Sequence, residues 1–288
     1  MRSERRKREN LMLCVPLSMD RLKKWDWPVL VQPKLDGVRC LTEVSREGIA
    51  LRSATGLTIS SVPHIKLDLE NTLRYWIRTG SLEPITLDGE LYVHGLSFQE
   101  IASIVKRDLL HPRYYEMEYH IFDAFEEFLR GDYLTRNSWK HWLNHSATNH
   151  LRKVETTSCS SLEELNEVTS VILAQGYEGI IVRKPDAPYE MKRSYGIMKY
   201  KPHKSDIYRI VGKVEEVSIH GEPKNSLGAF VVEKDGHQFK VGTGPILTKF
   251  GRANLWNEDL SGKSLRVKYQ ELSDLNKIPR FPVALEIL

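Results

Sequence analysis

Apolar residues recur along this chain with two different periods, and the switches between them mark its elements. Short runs rich in Val and Leu at 28–32 and 37–44, separated by the polar stretch Lys34 to Gly37, predict two strands around a turn. The run ITLDGELYV at 85–93 predicts a third. Between them Ile65, Leu69, Leu73, Trp76 and Ile77 repeat at helical spacing, with Gly80 as the stop. Ser97 with Glu100, and Ser161 with Glu164, fit the capping-box pattern, in which a hydroxyl takes the N–H three residues on and the carboxylate reaches back. Each opens an amphipathic run, and Gly176 sits where the second should end.

After Tyr200 the texture changes. IYRIVGKVEEVSI, GAFVVEK, HQFKV, SLRVKYQEL and FPVALEI follow one another as strand-like runs, with Asp235 and Gly236 as a hairpin turn. The Gly, Pro and Asn content between Ser218 and Gly228 reads as a loop, from which Lys224 reaches toward phosphate. The predicted class is α+β. A domain of antiparallel sheets and helices over 1–203 precedes an OB-type β-barrel over 204–288, a common nucleic-acid-binding scaffold at that size. No fixed-period repeat is present, which argues against solenoids and propellers.

Composition narrows the function classes. With 288 residues and 41% hydrophobic content, the chain can build two compact domains with real cores. No stretch approaches the ~20 apolar residues of a membrane helix, and the basic start MRSERRKREN lacks the apolar segment of a secretion signal. Cys14, Cys40 and Cys159 are odd in number and far apart, so they offer neither a disulfide framework nor a zinc ribbon. The expectation is an intracellular protein in a reducing compartment, cytoplasmic or nucleoid-associated. The formal charge of +4 is modest and evenly spread, so any phosphate-binding surface must come from residues clustered by the fold.

The sharpest local feature is Lys34-Leu35-Asp36-Gly37-Val38-Arg39, which puts a lysine at the end of one strand and a glycine where the next begins. A lysine amine attacks phosphorus only once burial or neighbouring positive charge frees its lone pair, and Arg39, Lys199 and Lys201 are candidates to supply that charge. Taken alone, the hexapeptide is equally an ordinary surface turn. Five further elements follow in order: Arg52 in LRSATG, Asp88-Gly89-Glu90 in LDGELY, Phe122-Asp123 in YHIFDAF, Glu178-Gly179 in EGIIVRK, and Lys199 with Lys201 in MKYKP. Together the six resemble the ATP-dependent DNA ligases. The resemblance spans most of the chain, including LGAFVVEKDGHQFKVGTG and the closing Pro279-Arg280-Phe281-Pro282.

The resemblance implies that Lys34 is adenylated by ATP and passes the AMP to a nick in duplex DNA. It implies that Phe122 stacks on adenine, that Arg52 and Glu90 hold the ribose hydroxyls, and that Gln32 reads the adenine edge with a donor and an acceptor. Many members carry an acidic residue at that last position. It further implies that Glu178 faces Mg²⁺ (or Mn²⁺), that Arg39, Lys199 and Lys201 neutralise phosphate, and that Arg280 orients the outgoing pyrophosphate. Period-2 spacing would put Lys199 and Lys201 on one face of a strand. The expected acting form is a monomer with no membrane partner. Only about 25 residues precede the nucleotidyltransferase fold itself, so no extra DNA-encircling domain is expected there.

Other readings share parts of this pattern. An RNA capping guanylyltransferase has the same lysine hexapeptide, but EGIIVR and RFPVALEI favour the ligase. An RNA ligase and a noncatalytic OB-fold nucleic-acid-binding protein are the remaining alternatives. His141 and His145 have the i, i+4 spacing of a helical metal pair, with His150 nearby, but they lack the acid of HExxH. With Trp139 and Trp142 interspersed, a half-buried helix is the simpler reading. The basic run Arg2, Arg5, Arg6, Lys7 and Arg8 reads as a solvated arm.

Overall fold

The structure, a computed structural model, describes residues 11–79, 84–126, 131–136, 150–270, 272–273 and 278–288, with the backbone alone at 75–78. The basic N-terminal run, Gly80, His141, His145 and the side chains of Trp76 and Ile77 lie outside the described residues. The chain forms two compact units, Met1–Tyr200 and Lys201–Leu288.

Two five-stranded sheets build the first unit. One contains β1 (Leu13–Pro16), β2 (Val29–Lys34), β8 (Thr157–Cys159), β9 (Gly179–Arg183) and β10 (Arg193–Tyr200), in the order β1-β10-β9-β2-β8. The other runs β4 (Gly48–Ser53), β3 (Val38–Ser45), β5 (Ile85–Tyr92), β6 (Glu118–Glu126), β7 (Leu151–Lys153). Pairing is antiparallel except at two edges, where β1 joins β10 and β7 joins β6 in parallel through long connections.

Helix α2 (Pro63–Thr79) presents Ile65, Leu69 and Leu73, each buried, to the core that holds Val44, Leu51 and Leu87. Helix α5 (Leu162–Ala174) buries Leu165 and Ile172 against Val29, Val31, Ile180 and Val182. Among the described residues the unit also holds the shorter helices α1 (Met19–Leu22), α3 (Phe98–Val105) and α4 (Tyr133–Arg136). The capping box expected at α3 is complete, since Ser97 accepts from the Glu100 N–H and Glu100 accepts from the Ser97 N–H. At α5 only half of it forms. Ser161 caps Glu164, but the Glu164 carboxylate accepts from Ser160 N–H instead.

Among its described residues the second unit holds one antiparallel sheet, β13 (His237–Val241), β12 (Pro223–Lys234), β11 (Lys204–Val217), β14 (Ser264–Tyr269), β15 (Val283–Ile287), in that order. Ala284 N–H donates to Thr243 O at 2.7 Å, tying the last strand to the segment that follows the first. Asp235 (φ 55) and Gly236 (φ 80) form the expected tight turn. Strand β12 begins at Pro223, so half of the segment read as a loop is strand. Proline is tolerated as its first residue, and Asn225 (φ 50) has its N–H taken by the Glu215 carboxylate at 2.8 Å.

Helix α6 (Lys249–Asn257) had no counterpart in the sequence reading. Lys213 closes its C-terminus by donating to the carbonyls of Leu255, Trp256 and Glu258, where the helix dipole is negative. Among the described residues, no helix is long and apolar enough to cross a membrane.

Candidate active site

Strands from both sheets of the first unit line a cavity of about 490 Å³. Gln32, Lys34, Arg39, Glu90, Phe122 and Lys199, far apart in sequence, all lie on its wall. Register explains part of this convergence. Lys34, last residue of β2, lies opposite Gly179 at the start of β9, so Glu178 is carried to its side. The Lys34 ammonium donates to Glu178 Oε2, their side chains 21% and 10% exposed. An ammonium has no lone pair for attack, so nucleophilic chemistry at Lys34 requires loss of a proton.

Gly37 is fixed by contact rather than by turn geometry. A Cβ there would sit 2.3 Å from the Leu91 carbonyl and 2.8 Å from Glu90 Cγ. This close approach brings Glu90 beside the hexapeptide. Burial raises the Glu90 carboxyl to about 7, against the opposing pull of Arg39 and Lys34.

Arg39 does not offer the cavity an unbalanced charge. Its guanidinium grips buried Asp88 through Nε at 2.8 Å and Nη2 at 2.5 Å, and also donates to Met12 O. Tyr189 closes this cluster from the other sheet's side, donating to Asp88 Oδ2 at 2.6 Å. The sequence reading, which had Arg39 supplying charge for phosphate and for Lys34, missed this buried partner. A charge fully paired in the interior is largely cancelled at a distance.

A second buried cluster holds Gln32. Arg183 bridges the sheets, donating to Gln32 Oε1 and to Asp123 Oδ2, both at 2.8 Å. Asp123 is 1% exposed and also takes a two-point contact from Arg136. The Gln32 amide donates to Tyr133 Oη (2.9 Å) and Thr156 Oγ1 (3.0 Å). Its NH₂ is therefore engaged within the protein, contrary to the expectation that it would donate to a base. Phe122 lies between the clusters, with the Arg39 and Arg183 guanidinium carbons 5.3 and 5.6 Å from its ring centroid.

Of the first-unit residues named from sequence, Glu178 is tied to this cavity wall only through Lys34, and Arg52 is not on it. Along β4 Leu51 enters the core, so Arg52 takes the other face and pairs at 2.8 Å with Glu43 of β3; Ser53, Ala54 and Thr55 supply the wall instead. Strand β10 ends at Tyr200, so Lys201 does not share a strand face with Lys199 and belongs to the second unit. Arg280 also belongs to that unit, where its guanidinium carbon lies 5.7 Å from the Phe281 ring centroid. Lys106, unflagged by sequence, lines the cavity with its ammonium 5.0 Å from the Phe98 ring centroid. His150 pairs with Asp68 at 2.8 Å, and the described residues hold no group of three or more potential metal ligands.

Residues 12–201 match the family described as the ATP dependent DNA ligase domain. The chain belongs to the ATP-dependent DNA ligase family. Residues 220–287 match the DNA ligase OB-like domain. Membership carries ATP use and action on DNA, and nick sealing is the family's general function. The DNA ligase of Haemophilus influenzae is 26% identical over 200 residues, covering 69% of this chain and 70% of that protein. The DNA ligase of African swine fever virus (strain Badajoz 1971 Vero-adapted) is 28% identical over 274 residues, 87% of this chain. The chain spans 61% of that viral relative's length. A solved structure of a Lig E DNA ligase, described as binding DNA with a minimal scaffold, superposes with a TM-score of 0.74 at 22% identity, covering 97% of this chain and 99% of that one. At that identity the likeness shows the fold.

Asp88, Asp123 and Arg183 were quoted within the family's motifs but given no role. The signal was present: each interrupts an apolar strand run, in LDGEL, IFDAF and IIVRK. A charge inside such a run demands a buried partner. Tyr133, Thr156 and Tyr189 carry no comparable sequence signal.

Proposed function

We propose that this chain seals 3′-OH/5′-phosphate nicks in duplex DNA through a covalent Lys34–AMP intermediate, and that it acts as a monomer. In the first step Lys34 Nζ forms a bond to the α-phosphorus of ATP, the bond to pyrophosphate breaks, and the amine proton departs. The AMP then passes to the 5′-phosphate of the nick. Finally the 3′-hydroxyl attacks that phosphate, AMP leaves, and the strand is closed.

The observation that carries this reading is the pairing of Glu178 with Lys34, which lines a cavity together with Phe122, Glu90 and Lys199. Phe122 offers a flat face to a base, and Glu90 offers acceptors to ribose hydroxyls. Lys199, exposed and without a carboxylate partner among the described residues, offers charge to phosphate. Glu178 is a hard oxygen donor beside the reacting amine, which fits Mg²⁺ or Mn²⁺; when bound, the ion supplies charge neutralisation at phosphoryl oxygens.

ATP labelled separately at the α and γ positions tests the covalent step. The expected result is a protein adduct carrying the α label only, absent in Lys34→Ala, with ligated product on a nicked duplex. Retention of the γ label, or an adduct in Lys34→Ala, overturns the assignment.

A further inference from the structure

Gln32 is 1% exposed yet lines the cavity two residues before Lys34. Three neighbours fix which way its amide points. Arg183 Nε, a donor and never an acceptor, lies 2.8 Å from Oε1. On the other side Nε2 lies 2.9 Å from Tyr133 Oη and 3.0 Å from Thr156 Oγ1. Tyr133 donates its own proton to the Phe122 carbonyl at 3.1 Å, and Thr156 has the Val154 carbonyl at 3.4 Å. Each hydroxyl therefore meets Gln32 as an acceptor. Turning the amide over would set its NH₂ against a guanidinium N–H and its oxygen against two hydroxyls whose protons point elsewhere. Both amide protons are engaged, and the remaining capacity of Gln32 is a lone pair on Oε1.

Building on the nucleotide-binding reading above, we infer that Tyr133, Thr156 and Arg183 are positioning residues that set the nucleobase preference, by holding Gln32 toward the base as an acceptor only. A 6-amino purine places an N–H donor against that lone pair. A 6-oxo purine places a second acceptor there, and a buried acceptor facing an acceptor leaves both unsatisfied. Tyr133 also ties this edge to the aromatic plate, because the carbonyl that takes its proton belongs to Phe122.

Covalent nucleotide transfer from α-labelled ATP and α-labelled ITP provides the test, since hypoxanthine differs from adenine at the 6-position and the adjacent N1 without adding the 2-amino group of guanine. The intact chain is expected to favour ATP by at least about 100-fold in kcat/KM. In Tyr133→Phe/Thr156→Val the two amide protons lose their acceptors, so Arg183 alone still holds Oε1 and the freed NH₂ can swing into the cavity as a donor. The ATP-to-ITP ratio should then fall by about 10-fold or more. Thr156→Ser keeps the acceptor and should keep the ratio. If the double variant fails to fold, Thr156→Val alone carries the test with a smaller fall. Equal losses on both nucleotides, with the ratio unchanged, overturn the inference, as does a lack of preference in the intact chain. A chain that takes no label from either nucleotide would instead refute the underlying reading.

Discussion

Lys34 and Glu178 form an ion pair where β2 meets β9, and a single backbone pairing, Lys34 opposite Gly179, sets their separation. The two side chains should therefore respond differently to removal. Lys34→Ala has no nitrogen to carry AMP and should be inactive with ATP on an ordinary nick, yet it should still seal a nick already bearing AMP on its 5′-phosphate. Glu178→Ala should lose activity on both substrates by at least about 100-fold, because Lys34 loses its partner and the phosphate site loses its oxygen donor. Rates for both variants on both substrates check this; a folded Glu178→Ala at full rate would remove the carboxylate from the site.

Glu90 makes stability depend on pH in a definite direction. Its carboxyl is raised by burial to about 7 from 4.5. Between those values the folded chain keeps a proton that the unfolded chain releases, so its contribution is greatest below the lower value and declines as pH rises to the upper one. The full swing is up to about 3 kcal/mol. Glu90→Gln cannot ionise, so its stability relative to the parent should improve between pH 5 and pH 8. Denaturant midpoints at those two values measure the difference, and a constant offset would contradict the burial argument.

Gly37 and Gly236 should tolerate alanine very differently. At Gly37 the added methyl meets the Leu91 carbonyl at 2.3 Å, which forces β3 away from β5 and displaces Glu90. The cost should exceed about 3 kcal/mol, with loss of ATP use. At Gly236 nothing lies within 4 Å, and only the positive φ of 80° is strained, a cost of about 1–2 kcal/mol. Thermal melts of the two variants should rank accordingly, and equal losses would show that turn geometry governs both.

The same glycine shows how far a sequence can be read. Its place between two strands was legible from the Val and Leu runs, because period and turn residues are local signals. Its reason was not, since the Leu91 carbonyl is distant in sequence. The proposed site divides along the same line. Lys34, Glu90, Phe122, Glu178 and Lys199 were legible because each sits in a motif, and the fold brings them to one cavity or, for Glu178, to its edge beside Lys34. Arg52 missed it because strand alternation sends the side chain next to Leu51 outward, toward Glu43. Arg39 reached it already bound to Asp88, a pairing set by the β3–β5 register that no single motif discloses. Helix α6 was hidden because its apolar positions are few.

Arg252 ties the second unit together through four carbonyls, with no carboxylate ion-pair partner among the described residues. Its guanidinium donates to the carbonyls of Leu247, Leu227, Gly228 and Gly242, at 2.7 to 3.0 Å. These belong to β12, the end of β13 and the entry to α6. Arg252→Ala should leave these acceptors poorly satisfied and cost about 3 kcal/mol or more, lowering the melting temperature of this unit by more than about 10 °C. Arg252→Lys should recover little, because one ammonium cannot span four carbonyls. An unchanged melting temperature in the alanine variant would mean that water replaces the guanidinium at no cost.

Phe122 separates a binding role from a packing role. The ring is only partly buried, while its strand neighbours Ile121 and Asp123 are 0% and 1% exposed, so β6 keeps its core anchors when the ring is removed. Its contacts with Arg39 and Arg183 involve guanidinium groups already fixed by Asp88 and Asp123. Phe122→Ala should therefore fold, with both buried clusters intact. If the ring stacks on adenine, its loss should weaken ATP use by about 1–3 kcal/mol, or ~5- to 150-fold in kcat/KM. Sealing of a nick that already carries AMP would change less, because the nucleotide then arrives attached to DNA. Phe122→Tyr keeps the flat face and should retain most of the activity with ATP. A Phe122→Ala variant that unfolds, or one that folds and uses ATP at the parental rate, would leave the stacking assignment without support.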